Sequence, residues 1–98
     1  MFRSGRRFEG SRLQLLARPS SNRAARVGFM IGKKLLGRAV DRNRLKRMLR
    51  EHIRNRRPAL QGFDLVVRLR QPCRPEELTD AAAELRGLLD TLHSAQRP

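Results

Sequence analysis

Tryptophan and tyrosine are absent from this chain, cysteine occurs once, and the four aromatic residues are all phenylalanine. A lone Cys73 excludes an intrachain disulfide and a cysteine-built metal cage. A secreted chain of 98 residues would ordinarily need disulfide staples, so their absence points to a cytoplasmic protein. Cys73 lies between Pro72 and Arg74 in an expected loop, with only His52 and His93 as possible bases, and is read as incidental rather than nucleophilic. No apolar run is long enough to span a membrane, and no signal-peptide pattern occurs. No Ser-His-Asp set has a supporting motif, no carboxylate pair sits in an apolar context, and no His, Cys and carboxylate residues cluster at metal-ligand spacing. Gly28, Gly32 and Gly37 do not match a phosphate-cradling loop.

Acidic residues are also scarce: nine Asp and Glu face 23 Lys and Arg, for a formal net charge of +14. Such an excess opposes compaction and favours a polyanionic partner. Nucleic acid is the leading class, because neutralising phosphates releases counterions and drives binding. An anionic membrane surface is the rival, disfavoured by the missing anchor and by where the charge lies. The length allows one domain over residues 1–98 with one modest core.

Periodicity gives the elements. Residues 11–18 alternate, with Leu13, Leu15 and Ala17 on one face and Arg12, Gln14, Leu16 and Arg18 on the other, the pattern of a half-buried strand. After a turn cluster around Pro19, residues 26–32 alternate again, with Val27, Phe29 and Ile31 inward. These two strands are expected to pair as a hairpin across a long loop. A basic connection, residues 33–37, leads to a helix expected over 41–56, with Val40, Leu45, Met48, Leu49, His52 and Ile53 as its apolar stripe. Asp41 suits its N-cap or first turn, and Pro58 ends it. His52 belongs to the edge of that stripe rather than to acid-base chemistry. Residues 63–70 form a further strand, Leu65, Val67 and Leu69 facing one way and Val66, Arg68 and Arg70 the other. Pro75 opens a last helix through residue 92, which holds five of the nine acids. A short strand over 6–9 completes an α+β, split βαβ pattern, a small sheet with helices mainly on one face.

The cations therefore concentrate upstream of the last helix. Asn43, Arg47, Arg50 and Arg54 follow three- and four-residue steps and share one helical face, flanked by Arg42 and Lys46. Like charges at these spacings destabilise an isolated helix, so the pattern implies a core that holds the helix and phosphates that relieve the repulsion. A second candidate surface is the polar face of the strands, where Arg12, Gln14, Leu16, Arg18, Arg68 and Arg70 suit a cleft for single-stranded RNA or an ordinary solvent-facing sheet. Phe2 and Phe8 are the candidates for base stacking; Phe29 and Phe63 are expected in the core.

The run Arg26-Val27-Gly28-Phe29, the pair Lys33-Lys34, and the segment Gly37-Arg38-Ala39-Val40-Asp41-Arg42-Asn43-Arg44-Leu45-Lys46-Arg47-Met48-Leu49-Arg50-Glu51 resemble the signature of the bacterial ribonuclease P protein component. Element order extends the resemblance over nearly the whole chain. It implies a fold like the second domain of ribosomal protein S5, with a sheet of about four strands and a left-handed βαβ crossover, against the usual right-handed preference. It implies no catalytic residue and no metal site in the protein. The partners would be ribonuclease P RNA, which holds the Mg2+ and cleaves, and precursor tRNA, whose 5′ leader the protein contacts as a monomer in the holoenzyme. The implied RNA-binding set is Lys33, Lys34, Arg38, Arg42, Asn43, Arg44, Lys46, Arg47, Arg50 and Arg54. The implied leader cleft is the sheet face with Gln14 and Leu16, walled by Lys46, Arg50 and Phe2, to which Arg12, Arg68 and Arg70 are added. The family's N-terminal helix has no counterpart here, Phe2-Arg3-Ser4-Gly5 resembling its last turn. The competing readings are a small ribosomal or architectural RNA-binding protein, which explains the charge but not the Arg-Asn-Arg spacing, and a DNA-binding protein, which lacks a partner helix before Asp41.

Overall fold

The computed structural model describes residues 5–19, 26–56 and 62–96. Phe2, the turn after Pro19 and Pro58 lie outside them. Four strands, β1 (Arg6–Glu9), β2 (Leu13–Pro19), β3 (Arg26–Met30) and β4 (Phe63–Leu69), form one sheet in the order β1-β2-β4-β3. Helix α1 (Ala39–Arg54) connects β3 to β4, and α2 (Leu78–Gln96) follows β4 through a 3₁₀ turn at Pro75–Glu77.

The two-residue alternation decides the layering. Leu13, Leu15 and Ala17 of β2 and Leu65, Val67 and Leu69 of β4 are buried in one cluster with Leu45, Leu49 and Ile53 of α1 and with Leu78, Leu85, Leu89 and Leu92 of α2. Both helices therefore lie on one face of the sheet. Burying each such leucine contributes roughly 1.5–3 kcal/mol relative to leaving it exposed. Val40 is an exception to the expected stripe: it is 60% exposed, because at about 100° per residue it lies roughly 140° around the helix from Leu45, on the side of Asn43 and Arg47. Phe8 is another. Its register partner is Leu15, so it packs half-buried against the core and does not offer a free stacking surface.

The expected hairpin of β2 and β3 does not form. β4 lies between them, antiparallel to β2 and parallel to β3. β4 carries Val66 on its second face as well as three fully buried residues on its first, so it gains most from two flanking strands. β3 is short and exposed at both ends, which suits a sheet edge. Chain proximity favours the hairpin; burial of the most apolar strand overrides it.

Two loops hold the frame. Leu36, only 3% exposed, plugs the connection before α1, whose backbone donates from Leu35 and Leu36 to Gly32 and accepts from the Cys73 N–H at Leu35. At the other end, Gly10 lies against α2, where a Cβ would sit 2.7 Å from Glu84 Oε1. Gly62 takes φ +86°, a left-handed conformation glycine adopts without cost, as the chain turns into β4. Helix α1 begins at Ala39, two residues before the expected start, with Asp41 buried in its first turn and Arg38 as N-cap without a side-chain bond.

Candidate nucleic-acid interface

Helix α1 is anchored by Leu45, Leu49 and Ile53, and that anchoring decides which side chains face outward. Asn43, Arg44, Arg47, Arg50 and Arg54 are exposed, as are Lys33, Lys34 and Arg38 in the approach to the helix; Lys46 is half-buried. Arg54 lies 3.7 Å from Glu51 in a solvent-exposed pair. Among the described residues, no carboxylate pairs with Lys33, Lys34, Arg38, Arg44, Lys46, Arg47 or Arg50. Six basic residues thus share a 16-residue helix with two acids. Packing stabilises a helix that its own surface charge opposes.

Arg42 differs from its neighbours. Its Nη1 donates to the carbonyls of Leu36 at 2.9 Å and Gly37 at 2.7 Å. It ties the end of the lysine-bearing loop to the helix. Arg50 is placed by an aromatic contact: its Cζ lies 5.2 Å from the Phe29 ring centroid, an attraction of cation for ring face worth about 0.5–1 kcal/mol at exposed sites. This contact draws the guanidinium toward the β3 edge, where the helix surface meets the sheet.

The sheet face opposite the helices is covered by no element among the described residues. Strand register assembles it. One row runs Arg7, Leu16, Val66, Gly28; the next runs Glu9, Gln14, Arg68, Met30. Leu16 and Val66 form an apolar floor, Gly28 keeps it shallow, and Met30 is 55% exposed at its edge. Gln14 is 5% exposed and donates to Glu9 Oε1 at 3.0 Å, the same oxygen that Arg70 reaches at 2.6 Å. Arg70 is therefore partly neutralised at the rim, whereas exposed Arg68 has no carboxylate partner among the described residues. Arg18 lies 3.8 Å from Asp64.

Arg12 is not on this face. It precedes β2, and its guanidinium turns to the helix side, reaching Glu77 Oε2 at 3.2 Å and Glu84 Oε2 at 3.3 Å. Glu84 Oε1 accepts from the backbone N–H groups of Arg12 at 2.8 Å and Leu13 at 3.2 Å. Glu77 is held below the usual carboxylate range, first by the Arg74 N–H and then, against the cost of burial, by Arg12. Arg12 thus clamps α2 to the start of β2. Alternation alone assigned it to the wrong face, because the two-residue rule stops where the strand stops. Alternation already sets Met30 on the outward face of its strand with Gly28, and register adds that it lies beside Arg68; Arg7 beside Leu16 is visible from register alone.

Among the described residues no group of three or more His, Cys, Asp or Glu side chains gathers to hold a metal ion, and no helix is long and apolar enough to cross a membrane.

Comparison with known proteins matches this arrangement. A family profile described as ribonuclease P covers residues 1–93. The ribonuclease P protein component of Nitrosomonas eutropha is 37% identical over 86 residues, which are 88% of this chain and 69% of that protein. The corresponding protein of Chromobacterium violaceum is 40% identical over 81% of this chain and 65% of its own length. The solved structure of the RNase P protein from Thermotoga maritima aligns with a TM-score of 0.71 and 28% identity, covering 96% of this chain and 86% of that one.

Proposed function

The chain belongs to the ribonuclease P protein family, and from that premise we propose that it binds the RNA of ribonuclease P through α1 and the 5′ leader of precursor tRNA across the open sheet face. The observation that carries the proposal is the row of unpaired cations on α1, on the Arg-Asn-Arg segment by which the sequence resembles the family.

The physical argument is electrostatic. Two polyanions, the catalytic RNA and its substrate, must approach one another. A compact body of net charge +14 placed between them neutralises phosphates on both and releases their counterions. Arg38, Arg44, Arg47 and Arg54 would meet the RNA subunit. Lys46 and Arg50, on the flank drawn toward Phe29, would stand where the two surfaces join. Leu16, Val66 and Gly28 provide a shallow floor on which an extended single strand can lie, with Gln14, Arg68 and Arg7 along it. The proposal assigns the phosphodiester hydrolysis and its Mg2+ to the RNA; the protein's share is to lower the cation concentration at which the RNAs associate. A single copy suffices for both contacts.

Adding the protein to ribonuclease P RNA at low Mg2+ is expected to stimulate precursor-tRNA cleavage, and raising Mg2+ is expected to shrink the stimulation. RNA binding without stimulation would favour the architectural reading; absence of both would end the proposal.

A further inference from the structure

His52 follows Arg50 by two residues, which puts it about 200° around the helix, on the flank turned away from the sheet edge. There His52, Asn55 and Arg56 face Arg86 of α2 across a groove of about 340 Å³. Every one of these side chains can donate to an anionic oxygen once His52 is protonated. Arg86 is exposed and has no carboxylate partner among the described residues. Arg56 pairs with Asp90, an exposed residue of α2, and Glu51 is engaged with Arg54. The field at the imidazole is positive: burial first, then Arg86 and Arg56, hold His52 below its ordinary pKa, outweighing Glu51.

We propose that this groove binds a phosphate of the RNA and carries the contact surface of α1 across onto α2, with Arg86 and Arg56 as the principal partners and His52 taking up a proton as the phosphate seats. The proposal rests on the RNA-binding reading above. Helix α1 ends at Arg54, so RNA lying along its exposed face reaches the groove on the opposite flank by rounding that end past Asn55 and Arg56. A phosphate offers several acceptor oxygens to donors converging from two helices, the arrangement that gives charge-assisted bonds their strength. Asp90 occupies Arg56 in the free protein and is the group the phosphate displaces.

The test compares binding of ribonuclease P RNA by the wild-type protein and four variants. Arg86→Gln is expected to weaken binding roughly twofold to fivefold and to reduce the salt slope by about one. Asp90→Asn is expected to strengthen binding. Lowering the pH from 8 to 6 is expected to tighten binding by wild type more than by His52→Gln. Thermal melts confirm that each variant is folded. Arg47→Ala separates the two readings: if it weakens binding while Arg86→Gln does not, the groove is no part of the interface and the α1 reading stands. If neither changes binding, the RNA reading itself fails. A shift of the His52 ring resonances with inorganic phosphate but not with RNA would make the groove a small-anion site and overturn its assignment to RNA.

Discussion

Helices α1 and α2 pack side by side under one sheet, yet they use charge in opposite ways. In α1, arginines point outward and lack carboxylate partners over most of the exposed face. In α2 and the turn before it, Glu77, Glu84 and Asp90 take up arginines from elsewhere in the chain, Arg12 and Arg56. Arginine is the same residue in both places. What differs is whether a carboxylate lies within reach, and that is decided by which elements pack together. The contrast separates cations that stabilise the fold from cations left for a partner, although composition counts them alike.

Three substitutions test whether the two helices differ in this way. The largest effect is expected at Glu84. Replacing it with Ala leaves the backbone N–H groups of Arg12 and fully buried Leu13 without their acceptor and the Arg12 guanidinium with Glu77 alone, a loss of about 1–3 kcal/mol in unfolding free energy, measured by urea titration. RNA affinity of the folded variant should stay unchanged. A similar loss of affinity in Glu84→Ala would erase the distinction between the two helices.

Arg47→Ala is the reciprocal case. It should leave stability within about 0.5 kcal/mol while lowering RNA affinity roughly twofold to fivefold and the salt slope by about one. Filter binding across a salt series reads both quantities. An unchanged slope would mean that Arg47 meets no phosphate.

The smallest effect concerns Glu77. Its folded pKa is depressed, so its contribution to stability is present above the ordinary carboxylate value and is lost as pH falls from there through the lower folded value. Glu77→Gln should therefore lower the neutral plateau and flatten the acid limb, so that variant and wild-type stabilities converge at low pH. Parallel acid limbs would remove Arg12 and the Arg74 N–H as its stabilising partners.

Much of this was legible beforehand. Leu13, Leu15, Leu65 and Val67 alternate as strands do, and Leu45, Leu49 and Ile53 recur as a buried helix stripe does, because these periods follow from backbone geometry alone. The outward placement of Arg47 and Arg50 follows from the same period. Residues at element ends were not. Arg12 and the start of α1 depend on where a regular element stops, and periodicity carries no information past that point. Arg42 shows a different limit: its spacing marks it as one of a cationic face, while its bonds to Leu36 and Gly37 assign it to a loop.

The sequence by itself determined the net charge, the identity of the elements, the buried face of each and the cationic face of α1, since each is a property of composition or of local period. The tertiary structure alone decided that β4 separates β2 from β3, that Arg12 pairs with Glu77 and Glu84 and Arg56 with Asp90 in the free protein, and that His52 meets Arg86. Those outcomes depend on which segments distant along the chain lie side by side. That choice is made by the most apolar strand burying both its edges, a competition no single segment records.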